Sequence, residues 1–199
     1  NKLEPTYSFD KNYIAPIIGV DEVGRGPLAG PVVSAAIILN EEKIPNGIND
    51  SKKLTKKKRE LLNKDLIDNH HYAIGIASVE EIDKLNILQA SLLSMKRAIL
   101  ALDSKPGSIL IDGNKLPDLS YNMFPIIKGD SKSLSIAAAS IVAKVFRDSL
   151  MEDLAIKYPG YHWENNSGYG TKQHLLALHN LGVTPIHRKT FAPIYKMLN

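Results

Sequence analysis

Cysteine is absent from the 199-residue chain, which excludes disulfides and thiolate metal sites together. The fold must hold through its core, and 44% hydrophobic residues suffice for one good core. No apolar run approaches the roughly 18 residues needed to cross a bilayer, so no membrane association is expected. The first residues, Asn1-Lys2-Leu3-Glu4-Pro5, lack both a charged-then-apolar signal pattern and an initiator Met, as in a trimmed chain. These absences suit a reducing, cytoplasmic setting. The six histidines form no His-x-x-x-His pair, and neither zinc ligands nor a histidine base is suggested. Repeats and low-complexity tracts are missing. The excess of one charge sign is small too: the net +4 permits a polyanionic partner without demanding one.

What is present concentrates in residues 17–31. Asp21 and Glu22 follow directly on an apolar run, and a Gly24-Arg25-Gly26 turn comes two residues later. A carboxylate in a run that reads as a buried strand is costly to desolvate unless something pairs with it. A bound cation is one such partner, and hard cations prefer oxygen ligands. Taken alone, the two acids read first as a strand end with solvated carboxylates.

Alternating short apolar runs and helical patterns organise the rest. Ile17–Val23 and Val32–Leu39 are β-rich runs whose connection is too short for a helical crossover, so they should be antiparallel neighbours. His71–Ala77, Ser108–Asp112 and Met123–Ile127 are further candidate strands. Between the third and fourth lies one long helical segment. Ser78 and Glu81 have capping-box spacing there, and Leu85, Leu88, Leu92, Met95, Ile99 and Leu102 recur at three- and four-residue steps. Ser131–Lys157 reads as a second long helix with a small-residue stretch, Ala137-Ala138-Ala139-Ser140. Thr171–Leu181 reads as a last helix closed by Gly182. The pattern predicts an α/β fold, a mixed sheet with helices on its faces.

Two more acids match the first pair in kind. Asp112 ends the run Ser-Ile-Leu-Ile-Asp, at the lip of a buried strand, and Asp130 precedes the second long helix. Singly, Asp112 reads as solvated and Asp130 as a helix N-cap. Together, four acids at element ends can converge on one sheet edge, where their mutual repulsion is relieved by cations. That is the requirement of two-metal phosphoryl transfer, with ions on the order of 4 Å apart.

Nine blocks then resemble, in order, bacterial type-2 ribonuclease H. They include Gly19–Pro31, Asp50-Ser-Lys-Lys-Leu54, Glu81–Ala90, Ile111-Asp-Gly-Asn114 and Lys128-Gly-Asp130. Ser135–Val145, Arg147-Asp148, Gly168-Tyr-Gly-Thr171 and Pro185-Ile-His-Arg188 complete the set, which is spread along nearly the whole chain from Ile17 to Ala192. The resemblance implies a ribonuclease-H-like five-stranded mixed sheet with a C-terminal helical extension. It also implies a single catalytic domain over 1–199, with a core at about 15–157 and a region of about 158–199 lining the substrate groove. The activity implied is hydrolysis of RNA in RNA·DNA hybrids and of DNA containing single ribonucleotides, cut on their 5′ side to leave a 3′-hydroxyl and a 5′-phosphate. Asp21, Glu22, Asp112 and Asp130 match the family's catalytic and metal-binding carboxylates, served by two Mg²⁺ or Mn²⁺ ions. Gly24, Arg25 and Gly26 match its reader of the ribose 2′-hydroxyl, the one group that distinguishes RNA from DNA at a given site. Tyr169 matches the residue that stacks on the following sugar, and Lys52 and Lys53 its contact to the nucleic-acid backbone. A monomer is expected.

Several residues keep plainer explanations. Lys56–Arg59 reads as a wet helix face, Lys144 and Asp148 as an i,i+4 ion pair, Trp163 as a core aromatic, and His187 as structural only. Ser167 stands where the family often has lysine, and Ser131–Ser135 is more polar than the family pattern. A type-3 ribonuclease H is one alternative, disfavoured by the Gly-Arg-Gly form and by the absence of a long extra N-terminal domain. A catalytically silent hybrid-binding protein is another, disfavoured because a pure binder gains nothing from four acids facing phosphate.

Overall fold

A computed structural model describes residues 3–199; Asn1 and Lys2, where the predicted domain begins, lie outside the described residues. After a short helix α1 (Tyr7–Asp10), five strands alternate with helices: β1 (Ile17–Val23), β2 (Val32–Ile38), α2 (Lys56–Asn69), β3 (His71–Ala77), α3 (Val79–Leu85), α4 (Ile87–Ala101), β4 (Ser108–Asp112) and β5 (Met123–Ile126). Then come α5 (Leu134–Lys157), α6 (Trp163–Asn166), α7 (Lys172–Leu181) and α8 (Ala192–Leu198). The strands form one sheet in the order β3-β2-β1-β4-β5. β1 pairs antiparallel with β2, as its short connection requires, and parallel with β4. The mixed five-stranded sheet flanked by helices is therefore the predicted one.

Each sheet face has its own helix. On one side, Ile18, Val20, Ile109 and Ile111 pack with Met95, Ala98 and Ile99 of α4. On the other, Ala35 and Ile37 meet Ala137–Ala139 and Ile141 of α5, with Leu66 of α2 outside them. The small residues let α5 sit close. A Cβ built on Gly19 of β1 would lie 2.2 Å from the Ser135 carbonyl carbon, so glycine is required for that approach. A separate cluster joins Leu28 and Ala29, in the β1–β2 connection, to Met151 of α5 and to Tyr161, Trp163, Leu178 and Ile194. It ties the C-terminal helices to the loop that carries the Gly-Arg-Gly turn.

Several boundaries differ from expectation. The single helix predicted between the third and fourth strands is two, broken at Asn86, whose φ of 78° is left-handed. Its ψ of 166° turns the chain out of the helical path, and its side chain accepts from Gln89 N–H to start α4. The long helix begins at Leu134 rather than Ser131, because Gly129–Ser131 forms a short 3₁₀ turn and Ser133 caps the helix by accepting from Ile136 N–H. β2 and β5 each stop one residue early. Among the described residues no helix is long and apolar enough to cross a membrane.

Candidate active site

β1 and β4 run side by side with Val20 opposite Ile111, so the next residue on each, Asp21 and Asp112, extends the same register at the strands' C-terminal ends. Matched positions on neighbouring strands share a sheet face, and for these two it is the α5 face. Glu22, one step on, completes the set at the strand end. One carboxylate oxygen each from Asp21, Glu22 and Asp112 lies within 4.8 Å of the others. Asp130 arrives from the 3₁₀ turn, its N–H donating to Asp112 Oδ1 at 3.3 Å. It borders the same pocket but lies outside the tight group of three. The capping role open to it belongs to Ser133 instead.

Burial makes this cluster hungry for positive charge. Desolvation, followed by the charges of Asp112 and Glu22, pushes the Asp21 carboxyl well above the usual carboxylate range. Asp112 is raised by burial and then by Glu22, and Asp130 by burial and then by Asp112. Lys52 supplies a partial answer, its Nζ lying 3.5 Å from Asp130 Oδ2 and 3.7 Å from Asp50 Oδ2. Those acids outweigh the desolvation that opposes its charge, so its pKa is raised. Three oxygen donors with no nitrogen or sulfur suit a hard divalent cation.

The pocket, of about 270 Å³, is lined by the four carboxylates, Gly24, Arg25, Gly26, Lys52 and Tyr169. Nine of the ten predicted site residues thus meet in one place. The tenth, Lys53, is exposed outside it and reaches the Leu3 carbonyl at 3.5 Å. Tyr169 and Gly26 are neighbours, since a Cβ on Gly26 would stand 3.2 Å from Tyr169 Cε1. Arg25 leans back toward Glu22, its Nη1 at 4.0 Å from Oε1.

Two buried arginines brace the loop that carries the Gly-Arg-Gly turn, Arg188 by bonding the turn itself, and spacing alone gave no sign of them. Arg188 donates from Nη2 to Gly24 O at 2.6 Å, from Nη1 to Arg25 O at 2.9 Å and from Nε to Gly30 O at 2.9 Å. Arg147 donates to Pro31 O, Ser167 O and Ala29 O. Among the described residues neither guanidinium has a carboxylate partner within salt-bridge distance. Burial lowers Arg147 to about 10 and Arg188 to about 9, which leaves both charged at neutral pH. With the carbonyls of Gly24 and Arg25 turned inward to Arg188, the planar trans peptides aim the N–H groups of Arg25 and Gly26 the opposite way. Among the described residues neither N–H has an acceptor. Gly24, at φ 93°, leaves no room for a side chain, because a Cβ would lie 2.3 Å from Arg147 Nε. Lys144 was also missed as a site residue. It does pair with Asp148 at 2.9 Å, yet it lines the pocket, and Asp148 in turn accepts from Ser167 Oγ. The only trace of these three in the sequence is their place inside matched blocks.

Residues 18–194 match the family model described as Ribonuclease HII. A ribonuclease HII of Ruegeria pomeroyi is 60% identical over 183 residues, covering 92% of this chain and 78% of that protein. One of Zymomonas mobilis is 54% identical over 197 residues, covering 97% and 92%. Among solved structures, the ribonuclease H2 of Pyrococcus horikoshii superposes with a TM-score of 0.72 at 30% identity, covering 91% of this chain and 96% of that one.

Proposed function

The chain belongs to the ribonuclease HII family, and from that premise we propose how its residues divide the work. Membership makes it a divalent-metal-dependent endoribonuclease acting on RNA·DNA hybrids, and decides for the type-2 over the type-3 reading. Our finer reading is that it also cuts DNA 5′ to a single embedded ribonucleotide, leaving a 3′-hydroxyl and a 5′-phosphate.

Asp21, Glu22 and Asp112 would hold the cations, with Asp130 completing the shell. The convergence of three carboxylate oxygens within 4.8 Å at one open pocket is the observation that carries this. Such a cluster, buried and raised in pKa, is stable as anions only with cations beside it. When bound, a pair of Mg²⁺ or Mn²⁺ ions supplies activation of water and stabilisation of the departing 3′-oxygen. No side chain need act as nucleophile.

The protein's own part is selection and placement. The outward N–H groups of Arg25 and Gly26 can donate to the ribose 2′-hydroxyl or its phosphate, and Arg188 fixes their direction beforehand. The unpaired charges of Arg147 and Arg188 beneath the turn favour a phosphate above it. Tyr169, 42% exposed at the rim, packs on the sugar that follows, where a missing 2′-hydroxyl is accommodated. Lys52 and Lys144 flank the phosphate, and Lys53 reaches only backbone outside the pocket. Residues 158–199 form one wall of the groove and residues 15–157 the catalytic core, as parts of one domain.

The deciding experiment is cleavage of a DNA duplex carrying one ribonucleotide against an all-DNA duplex of the same sequence, with Mg²⁺, with Mn²⁺ and with chelator. Metal-dependent cleavage of the first alone is expected, on the 5′ side of the ribonucleotide. Equal rates on both would mean that the Gly-Arg-Gly turn is only a turn.

A further inference from the structure

Trp163, His174 and His187 are fully buried among the C-terminal helices, behind the Gly168-Tyr169-Gly170 loop, and the chemistry above uses none of them. Their hydrogen bonds impose one order of protons. The Tyr169 carbonyl can only accept, so His174 Nδ1, 2.9 Å away, carries a proton. His174 Nε2 is then an acceptor, and it receives Trp163 Nε1–H at 3.2 Å and His187 Nε2–H at 2.8 Å. His187 is left with Nδ1 as acceptor, where Thr184 N–H and the Thr184 hydroxyl both arrive at 2.9 Å. One tautomer of each ring satisfies every partner. A second proton on either would set donor against donor, in keeping with the downward shift that burial gives both rings.

The loop is anchored just upstream, where Gly168 O accepts from Leu28 N–H and Ser167 O from Arg147, and His174 is the anchor that acts on Tyr169 itself from outside the loop. Tyr169 lies between two glycines, the residue is 42% exposed, and its remaining backbone bonds are local, to Asn166 O and from Thr171 N–H. The geometry points to His174 and His187 as positioning residues for Tyr169: a proton-ordered relay that fixes the Tyr169 carbonyl and with it the pose of the ring over Gly26. This rests on the reading of Tyr169 as a sugar contact.

Two amide replacements of His174 separate a relay from simple core filling. In His174→Asn the side-chain NH₂ can overlie Nδ1 and still donate to Tyr169 O. In His174→Gln the amide reaches the Nε2 position and that donation is lost. On the single-ribonucleotide duplex kcat/KM for Gln should fall about three- to tenfold below Asn, the worth of one such hydrogen bond. Core filling predicts the reverse, because Gln fills more of the space; Gln equal to or above Asn overturns the relay. In a Tyr169→Ala background the gap between the two should vanish. If Tyr169→Ala is impaired and the gap persists, the relay does not act through Tyr169. If Tyr169→Ala alone keeps the wild-type rate, it is the sugar-contact reading that fails. The unaltered protein gives a check that needs no variant to fold. Long-range ¹H–¹⁵N correlation should find His174 protonated on Nδ1 and His187 on Nε2. An Nε2-protonated His174 overturns the proposal.

Discussion

Asp21 and Asp112 stand side by side on adjacent parallel strands, one register step past the Val20–Ile111 pair. Strand pairing rather than any loop sets their spacing, so two anions are held together by the stiffest part of the fold. Changing Asp112 to Asn leaves that backbone intact and removes one ligand charge. Cleavage should fall at least about a hundredfold, since each ion is relied on for several kcal/mol of transition-state stabilisation. Hybrid binding should survive or tighten with one less negative charge facing phosphate. Wild-type turnover in Asp112→Asn would end the carboxylate assignment.

The same crowding predicts a stability signature. Without divalent ions, Asp21→Asn should melt above the wild type, because a desolvated charge is removed from a site where its neighbours oppose it. Adding Mg²⁺ should then raise the wild-type melting temperature by mass action, and raise that of Asp21→Asn much less. Thermal melts with and without chelator make the comparison. Identical metal responses in the two proteins would place the ion elsewhere.

How much of this was legible in the sequence depended on whether the signal was local. Strands and their acids were readable because alternation, β-branching and a terminal Asp lie within a few residues of one another. The break at Asn86 was not, since apolar periodicity runs through both helices and only a left-handed φ separates them. Arg147, Arg188, His174 and His187 were invisible as a group. The arginines donate to carbonyls and the histidines bond to rings, to the Tyr169 carbonyl and to Thr184, and an arginine's partners come from segments as distant as Gly24 and Arg188. Lys52 and Lys53 are identical in the sequence, and only the 3₁₀ turn over Ser51–Lys53 decides which one faces the acids.

Arg188 allows charge to be separated from geometry. Arg188→Lys keeps the charge but cannot span the carbonyls of Gly24, Arg25 and Gly30 together. It should lower stability by about 3 kcal/mol, as two or more charge-assisted bonds are lost, and should reduce discrimination between ribose and deoxyribose. Urea denaturation and the paired-duplex assay measure the two effects. A lysine variant with full discrimination would show that the turn holds its shape unaided.

His187 predicts the acid limb of stability. Burial, then the charges of His174 and Lys189, lowers it to about 3. A base depressed in the folded state contributes stability that is fully present above its unfolded pKa of about 6.5 and is lost as pH falls toward the folded value. Unfolding free energy should therefore drop from pH 6.5 downward, by up to about 1.4 kcal/mol per pH unit for this one proton. In His187→Gln, whose amide can still donate to His174, that component should disappear. Urea midpoints measured between pH 7 and 4.5 should show the shallower slope, and parallel slopes would mean that His187 titrates normally.

The last prediction joins the two halves of the sugar site. Gly26 and the Tyr169 ring are in near contact, so a methyl group at Gly26 would meet Tyr169 Cε1 at 3.2 Å, tighter than ordinary packing. The ring is at the rim and can yield by a few tenths of an ångström, so Gly26→Ala should fold normally. What it changes is the space in which backbone, ribose and ring must meet. Tyr169→Ala should lower the rate on a single-ribonucleotide duplex by about ten- to a hundredfold, the 1–3 kcal/mol typical of an aromatic contact to nucleic acid. Gly26→Ala should lose comparable activity for a different reason, by holding the backbone donors away from the sugar. Because both act on one contact, the double variant should lose less than the product of the two single losses. Strict multiplicativity would mean that Gly26 and Tyr169 touch each other but read separate parts of the substrate.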